Sequence, residues 1–222
     1  LGAHIAIDKR LPAQAGMGGG SSDAATCLLA LNRLWGLGLA LPQLESIGLA
    51  LGADVPFFLR GRNAWVEGIG EQITPLQLPP ARFVVVKPPD GLETARIFSD
   101  PHLSRSTKPA ILSGFAAVHN DALDKSGGDE HTSDLAYGFG HNDLQPVAQR
   151  LCPGISQALE WLSAQGLRGR MTGSGSAVFA RLMPGVVPGP LPSGWGDGWI
   201  VKTCSNLDVH PLAGWADSDS HR

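Results

Sequence analysis

A glycine-rich stretch that runs directly into a helix-forming stretch constrains this chain more than any other feature. Glycine has no Cβ atom, so such a stretch can turn through positive φ and approach a ligand closely. The glycines are Gly16, Gly18, Gly19 and Gly20. Ser21 to Asp23 are residue types typical of a helix N-cap and first turn. Ala24 to Leu34 are helix formers with apolar side chains at 24, 27, 28, 31 and 34. This pattern predicts a loop that opens onto a helix N-terminus, which suits phosphate.

Three well-known glycine motifs do not fit this stretch. No lysine follows the glycines, so the G-x-x-x-x-G-K-S/T loop is excluded. The dinucleotide pattern G-x-G-x-x-G fails because Ser21 stands where the third glycine is needed. The G-x-S-x-G nucleophile pattern fails because Ala24 replaces its second glycine. A flexible Gly–Ser linker is disfavoured because linkers rarely lead straight into an amphipathic helix.

The rest of the pattern predicts helices and strands in one chain. Helices are predicted over 42–51, 94–98 and 155–165, with Thr94 as an N-cap and a short apolar segment at Phe57 to Leu59. Strands are predicted over 3–8, 63–66, 71–76, 83–87, 168–171, 177–182 and 199–203. Residues 104–141 are polar and glycine-rich, which predicts a surface insertion.

Composition excludes several classes of protein. Hydrophobic residues make up 43 % of the 222 residues, enough for a core, and the net charge of −3 favours neither nucleic acid nor an anionic membrane as partner. No apolar run approaches the roughly 20 residues that span a bilayer. Cys27, Cys152 and Cys204 form no C-x-x-C pair and are expected to be reduced thiols in a cytoplasmic protein. His119, His131 and His141 lack metal-ligand spacing and are interpreted as surface histidines.

Four features carry candidate chemistry, each with an ordinary structural alternative. Asp54 is either a general base or an aspartate that satisfies turn amides. Ser22 either contacts phosphate or a magnesium-bound water, or caps the helix, and these roles are compatible. Residues 173–176 form either a ligand loop or a simple hairpin turn. Phe98 either stacks on a base or packs in the core.

Three stretches together resemble the GHMP small-molecule kinases. The first is Lys9-Arg10-Leu11-Pro12 with Gly16-Met17-Gly18-Gly19-Gly20-Ser21-Ser22-Asp23-Ala24-Ala25. The second is Leu51-Gly52-Ala53-Asp54-Val55-Pro56-Phe57-Phe58, and the third is Met171-Thr172-Gly173-Ser174-Gly175-Ser176-Ala177-Val178-Phe179-Ala180. The residues of the first two stretches are most similar to those of one branch of the family. That branch phosphorylates a cytidine-diphosphate-linked methylerythritol in non-mevalonate isoprenoid biosynthesis.

The resemblance implies an α+β fold in two parts. A ribosomal-protein-S5-like, ATP-binding part is expected over 1–79 and a ferredoxin-like part over 80–212, with an insertion at about 104–141 and a frayed tail at 213–222. We expect ATP and Mg²⁺ as cofactors, transfer of phosphate to the 2-hydroxyl of the cytidylyl substrate, and a monomer or homodimer.

The resemblance also assigns roles to individual positions. Asp54 is expected to be the catalytic base, Thr94 and Phe98 to contact substrate, and Ser22 to approach Mg²⁺. The third-motif loop consists of Gly173, Ser174, Gly175 and Ser176. The ATP-binding residues are Pro12, Ala13, Gln14, Ala15, Gly16, Met17, Gly18, Gly19, Gly20, Ser21 and Ser22.

One departure from the family pattern bears on activity. The family pairs its aspartate with a lysine on a first strand, and no residue of this chain matches that lysine. Lys9 belongs to the approach to the phosphate loop and is not a substitute. We therefore expect the family's N-terminal segment to be absent from the chain. Two alternatives stay open: another GHMP kinase, acting on homoserine or a mevalonate, or a non-catalytic nucleotide-binding fragment.

Overall fold

The computed structural model describes residues 2–108, 110, 115 and 137–216. The chain divides into two units. The first unit comprises Leu1–Pro12, Gly18–Leu78 and Leu207–Arg222. The second comprises Ala13–Met17 and Pro79–Asn206. The glycine-rich stretch thus contributes residues 13–17 to one unit and its helix to the other.

Three helices and a hairpin form the first unit. The helices are α1 (Gly19–Leu34), α2 (Leu41–Leu51) and α3 (Val55–Arg60), and the hairpin strands are β1 (Ala64–Glu67) and β2 (Gln72–Pro75). The hairpin was predicted, and it pairs Glu67 with Gln72 next to its turn. The helices α1, α2 and α3 share a small apolar core formed by Ala25, Leu29, Leu44, Val55 and Leu59.

Helix α1 begins earlier than the sequence pattern indicates. Its N-cap is Gly18, which adopts the left-handed conformation with φ 66°, and the first intrahelical bond runs from the Ser22 N–H to the Gly18 carbonyl. Of the two roles considered for Ser22, the N-cap role is therefore wrong, because Ser22 lies within the first turn. On the buried face, Asn32 is satisfied by exchanging two hydrogen bonds with the backbone of Leu39.

One other prediction for this unit, the strand over 3–8, is wrong, and two are made more specific. Residues 3–8 form no strand and are exposed, since no described strand offers them a partner for a hydrogen-bonded ladder. Phe57 to Leu59 belong to helix α3, which begins next to Pro56. The expected frayed tail is described as far as residue 216, and there Trp215 packs against the helical core with the Arg33 guanidinium over its ring.

A four-stranded antiparallel sheet organises the second unit. Its strands are β3 (Arg82–Lys87), β4 (Gly169–Met171), β5 (Val178–Leu182) and β6 (Ile200–Ser205), arranged in the order β4-β5-β3-β6. This is the strand order of a ferredoxin-like sheet, and it confirms the predicted α+β class. All four strands were predicted, with bounds that differ by a residue or two. Residues 183–199 connect β5 to β6 without a helix.

Helices pack on one face of this sheet. They are α4 (Thr94–Phe98), α5 (Gln145–Leu151) and α6 (Pro153–Ala164). Val84 and Val86 of β3 point into the shared core, which Ile97, Ile155 and Leu162 complete from the helices. The prediction that Thr94 caps α4 is wrong, because Glu93 occupies the N-cap position. Most of the expected insertion at 104–141, including His119 and His131, lies outside the described residues.

Candidate functional site

Residues 13–17, the first half of the glycine-rich stretch, are held to the second unit through three consecutive carbonyl oxygens. The Gln14 carbonyl accepts from the N–H groups of Ser176 at 3.2 Å and Leu92 at 3.3 Å. The Ala15 carbonyl accepts from the Ala177 N–H at 3.2 Å, and the Gly16 carbonyl from the Thr172 hydroxyl at 3.0 Å. This stretch is therefore fixed by its main chain rather than by its side chains.

Glycine is required where this stretch meets the loop between β4 and β5. Gly16 has φ +67°, and a Cβ there would collide with the Thr172 carbonyl oxygen and lie 2.6 Å from the Gly175 nitrogen. Gly173 has φ +50°, and its Cβ would lie 2.8 Å from the Gly16 carbonyl oxygen. Both positions exclude side chains because two backbones approach each other closely.

The carbonyls of residues 14–16 are bonded, whereas the amides of this stretch have no partner in the described part of the chain. Among the residues that the structure describes, no acceptor takes a hydrogen bond from the N–H groups of Ala13 to Met17. In the first unit, Gly19 to Ser21 precede the first intrahelical bond of α1 and also donate to no described acceptor. Unpaired N–H groups in a glycine-rich loop, and those at a helix N-terminus, are each the kind of donor that binds phosphate.

The start of α1 is packed and charged on either side. A Cβ at Gly18 would lie 2.8 Å from the Phe58 ring, so α3 closes over this turn. Lys9 and Asp23 form an ion pair at 2.6 Å, with both side chains partly exposed. The pair links the segment before the glycines to the first turns of the helix. The Ser21 and Ser22 hydroxyls bond to no described residue, so they are available to a ligand.

Asp54 lies between helices α2 and α3, in the same unit as the start of α1. It occupies the N-cap position of α3, yet its carboxylate makes no capping hydrogen bond. Its side chain is exposed and accepts no hydrogen bond from the described residues. The turn-amide interpretation is therefore wrong, and the carboxylate is free to accept a proton. The preceding residue, Ala53, is packed against Gly70, where any Cβ would collide with the Ala53 carbonyl.

Residues 173–176 form the hairpin loop between β4 and β5, and the same loop holds the glycine-rich stretch. Ser174 and Thr94 share a hydrogen bond between their hydroxyl oxygens at 2.7 Å, which brings α4 to this loop. Ser176 donates its hydroxyl to the Asp90 carbonyl at 2.6 Å. The hairpin interpretation is therefore correct, and the role of this loop toward a ligand stays a prediction.

Asn142 is a residue of this site to which the sequence analysis gave no role. Its amide nitrogen donates to the carbonyls of Met171 at 3.0 Å and Gly173 at 2.7 Å, and its oxygen accepts from the Leu144 N–H. Gln145 accepts from the Met171 N–H at 2.8 Å. The start of α5 therefore fixes the third-motif loop. The Asn-Asp pair ahead of an apolar helix was the available signal.

Phe98 does not pack in the core. Its side chain is 53 % exposed, whereas the neighbouring Ile97 is fully buried and supplies the core contact of α4. This removes the core alternative and leaves an aromatic face open to a planar ligand.

Metal and membrane features are limited in the described part of the chain. No group of three or more histidine, cysteine or acidic side chains there is arranged to hold a metal ion. His141 contacts the Asp143 carboxylate at 2.7 Å and approaches no second ligand of that kind. In the same residues, none of the helices has the length and apolar character needed to cross a bilayer. The three cysteines are free thiols.

Comparison with known families identifies both parts of the chain. A model described as the GHMP kinases N terminal domain matches residues 1–62, and one described as GHMP kinases C terminal matches residues 123–182. The second match includes residues outside the described part of the structure.

Named relatives and solved structures agree with these matches. The 4-diphosphocytidyl-2-C-methyl-D-erythritol kinase of Variovorax paradoxus is 63 % identical over 215 residues, which cover 97 % of this chain and 72 % of the relative. The protein of the same name from Albidiferax ferrireducens is 60 % identical, covering 99 % of this chain and 69 % of the relative.

Two crystallised proteins share the fold. A 4-(cytidine 5'-diphospho)-2C-methyl-D-erythritol kinase superposes with a TM-score of 0.59 at 36 % identity, covering 78 % of this chain and 59 % of its own. A homoserine kinase from Cytophaga hutchinsonii superposes with a TM-score of 0.57 over 90 % of this chain and 68 % of its own, and at 16 % identity it supports the fold alone.

Proposed function

Since this chain belongs to the GHMP kinases, we propose that it transfers the γ-phosphate of ATP to the 2-hydroxyl of 4-diphosphocytidyl-2-C-methyl-D-erythritol. This reaction is a step of non-mevalonate isoprenoid biosynthesis. The observation that carries the kinase assignment is the run of N–H groups over residues 13–17, which donate to no described acceptor while the carbonyls of residues 14–16 are bonded to the protein. The substrate follows from relatives that carry this name at about 60 % identity.

The phosphates would be held by main-chain amides. The N–H groups of Ala13 to Met17 and those of Gly19 to Ser21 are the donors, and Pro12 to Ser22 form the whole ATP-binding stretch. The positive end of the α1 dipole adds to their effect. Bound ATP would supply the phosphoryl group. Mg²⁺ would offset the negative charge of the phosphates and would need few ligands from the protein. Ser22 is the candidate for a contact to that ion.

Asp54 would act as the base. Its carboxylate is exposed, unbonded and set at the start of α3, in the same unit as the N-terminus of α1. A proton from the attacking hydroxyl has to be accepted during phosphoryl transfer, and a carboxylate without competing donors can accept it. Close packing on either side of residue 54, at Gly48 of α2 and at Gly70 in the turn between β1 and β2, fixes the backbone that carries it.

The cytidylyl end of the substrate would lie against α4. Phe98 offers an exposed aromatic face for the cytosine ring, and Thr94, bonded to Ser174, offers a hydroxyl near the third-motif loop. Gly173 to Ser176 would then connect the nucleotide phosphates with the substrate pocket. We place the reaction in the cytoplasm, which agrees with three free thiols.

The test compares wild type, Asp54→Asn and the matched variant Glu67→Gln in an ADP-coupled assay with the cytidylyl alcohol. Removal of a general base lowers kcat by about 10²- to 10⁴-fold while nucleotide binding persists. Glu67 is an exposed carboxylate of β1, so its neutralisation is expected to leave turnover unchanged. Unreduced turnover in Asp54→Asn would remove Asp54 from the mechanism.

Two further arms separate the alternatives. Turnover of homoserine or mevalonate without turnover of the cytidylyl compound would assign the chain to another branch of the family. Calorimetry with a non-hydrolysable ATP analogue measures binding independently of catalysis. Binding without turnover of any alcohol would identify a nucleotide-binding protein.

A further inference from the structure

Lys87, at the end of strand β3, is a buried charge that the proposed reaction does not use. Only 5 % of the residue is exposed. Its ammonium donates to the carbonyls of Pro88 at 2.5 Å, Pro89 at 3.2 Å and Asp90 at 3.0 Å. An ammonium has three protons, so all its donors are used on three successive carbonyls. The lysine therefore ties the turn that follows β3 into one conformation.

This arrangement is costly and calls for a compensating role. Burial lowers the pKa of Lys87, which reflects the free energy needed to keep a charge there, and the neighbouring Asp90 and Cys152 only partly oppose the shift. An apolar side chain of similar length would fill the same volume without that cost. Lys87 brings something that such a side chain cannot, namely three donors directed at a proline-rich turn.

The turn that Lys87 holds is in direct contact with the phosphate loop. The Asp90 carbonyl accepts from both Lys87 and the Ser176 hydroxyl. A Cβ at Gly91 would lie 2.5 Å from the Gln14 side-chain oxygen, so the two chains are closely packed there. The Leu92 N–H donates to the Gln14 carbonyl.

A second connection runs through the third-motif loop. Ser176 is anchored to the turn by its hydroxyl, and its own N–H donates to the Gln14 carbonyl at 3.2 Å. The Gln14 carbonyl thus accepts two hydrogen bonds, one from Leu92 in the turn and one from Ser176 in the third-motif loop. Both segments are connected to Lys87 through the turn that contains Asp90. The Gln14 carbonyl shares a peptide plane with the Ala15 N–H, so holding the carbonyl also fixes the direction of that amide.

We propose that Lys87 is a positioning residue for the nucleotide, acting through the 88–92 turn and Ser176 on the main chain of residues 13–17. The proposal rests on the assignment of that stretch to ATP phosphates in the proposed function. It assigns Lys87 no contact with ATP. Loss of its donors lets the turn relax, and the amides of the phosphate loop lose their fixed direction.

Three variants of the full chain test this role. Lys87→Met keeps the stem and removes the donors, Ser176→Ala removes only the hydroxyl bond to Asp90, and Lys202→Met changes an exposed lysine of β6 in the same sheet. Each is measured for the KM of ATP, the KM of the alcohol substrate, kcat, and the Kd of a non-hydrolysable ATP analogue. Circular dichroism establishes that each variant is folded.

A positioning role affects nucleotide parameters selectively. Lys87→Met raises the KM of ATP and the Kd of the analogue about tenfold, with the KM of the alcohol within about twofold. Ser176→Ala shifts the same two parameters by about threefold. A double variant that combines Lys87→Met with Ser176→Ala changes them by less than the product of the two single effects. Lys202→Met matches wild type.

The outcomes distinguish this proposal from the proposed function. Unchanged nucleotide parameters in folded Lys87→Met overturn it, as do equal changes in both KM values, which indicate a general structural role. If Lys87→Met does not fold, Ser176→Ala decides by the same criteria. A wild-type chain that turns over no cytidylyl alcohol contradicts the proposed function, while the analogue Kd of the variants still decides the role of Lys87.

Discussion

The Thr172 hydroxyl donates to the Gly16 carbonyl oxygen at 3.0 Å, joining two residues that are 156 positions apart in the chain. It is the one side-chain bond among the described bonds that fix residues 14–16, since the others come from backbone N–H groups. This makes it the bond that substitution removes most cleanly. The backbone donors from the same loop, the N–H groups of Ser176 and Ala177, are still present after a change of the side chain at 172.

Thr172→Val tests the contribution of that single bond. Valine has nearly the same shape but no hydroxyl, so the Gly16 carbonyl loses its donor while the packing is kept. We expect the KM of ATP to rise about fivefold, the equivalent of one hydrogen bond worth about 1 kcal/mol. Steady-state kinetics at saturating alcohol substrate measure the change.

The matched control for this variant is Thr172→Ser, which retains the hydroxyl and is expected to bind ATP nearly as wild type does. A valine variant with a normal KM for ATP would show that the backbone bonds at residues 14 and 15 suffice. The same result would limit Thr172 to the geometry of its own hairpin loop.

Gly48 allows helices α2 and α3 to approach each other. A Cβ at this position would lie 2.9 Å from both Val55 and Leu59, two fully buried side chains. Gly48→Ala is expected to lose about 1–2 kcal/mol of unfolding free energy, because overpacking outweighs a helix-propensity gain of about 1 kcal/mol. Urea denaturation measures the loss. The control is Ile47→Ala, on the exposed side of α2, which is expected to change the unfolding free energy by less than about 0.5 kcal/mol. A Gly48→Ala variant that is more stable than wild type would refute the packing argument.

Cys152 makes stability fall in alkaline solution. Burial, more than the nearby Asp90 carboxylate, raises the pKa of the thiol above its ordinary value. Below about pH 8.5 both folded and unfolded chains keep the proton. As the pH rises above that value, the unfolded chain loses the proton first, so folded Cys152 binds more protons and the unfolding free energy declines.

The comparison with Cys152→Ala isolates this effect. The stability advantage of wild type over the variant is expected to shrink between about pH 8.5 and 10. Val147→Ala serves as control, because it removes buried volume without a titratable group and its stability difference stays constant over the same range. Lys87 titrates with the opposite sign, since its lowered pKa makes stability rise with pH. A constant difference between wild type and Cys152→Ala would contradict the prediction.

Local patterns were sufficient for most elements of this fold. The hairpin around Glu67 and Gln72 follows from turn residues between short apolar runs, and β3 from a continuous β-branched run ended by Pro88. These signals lie within a few residues of the element they define. The strand predicted over 3–8 was wrong because a local pattern does not show whether a neighbouring strand is present. Alternation states which side chains share a face, but a strand also needs a partner that the pattern does not contain.

The candidate site was predicted in its composition but not in its contacts. The glycines at 16 and 18 were identified by residue type, and the structure gives both positive φ. That Gly16 meets Thr172, or that Thr94 bonds Ser174 rather than capping α4, depends on packing between distant segments. Lys87 was missed because a lysine at the end of an apolar strand is ordinarily a solvent-exposed stop signal.

The 156-residue separation of Gly16 and Thr172 also orders events during synthesis. Nascent chains emerge from the N-terminus, so the glycine-rich stretch is made early and its fixing partners, residues 172–177, are made late. Contacts between such distant segments form only after a long loop has closed, which is slow and entropically costly. The glycine-rich stretch is therefore synthesised long before residues 172–177, which fix its backbone. If the proposed function holds, nucleotide binding is expected only in chains that have been completed through β5.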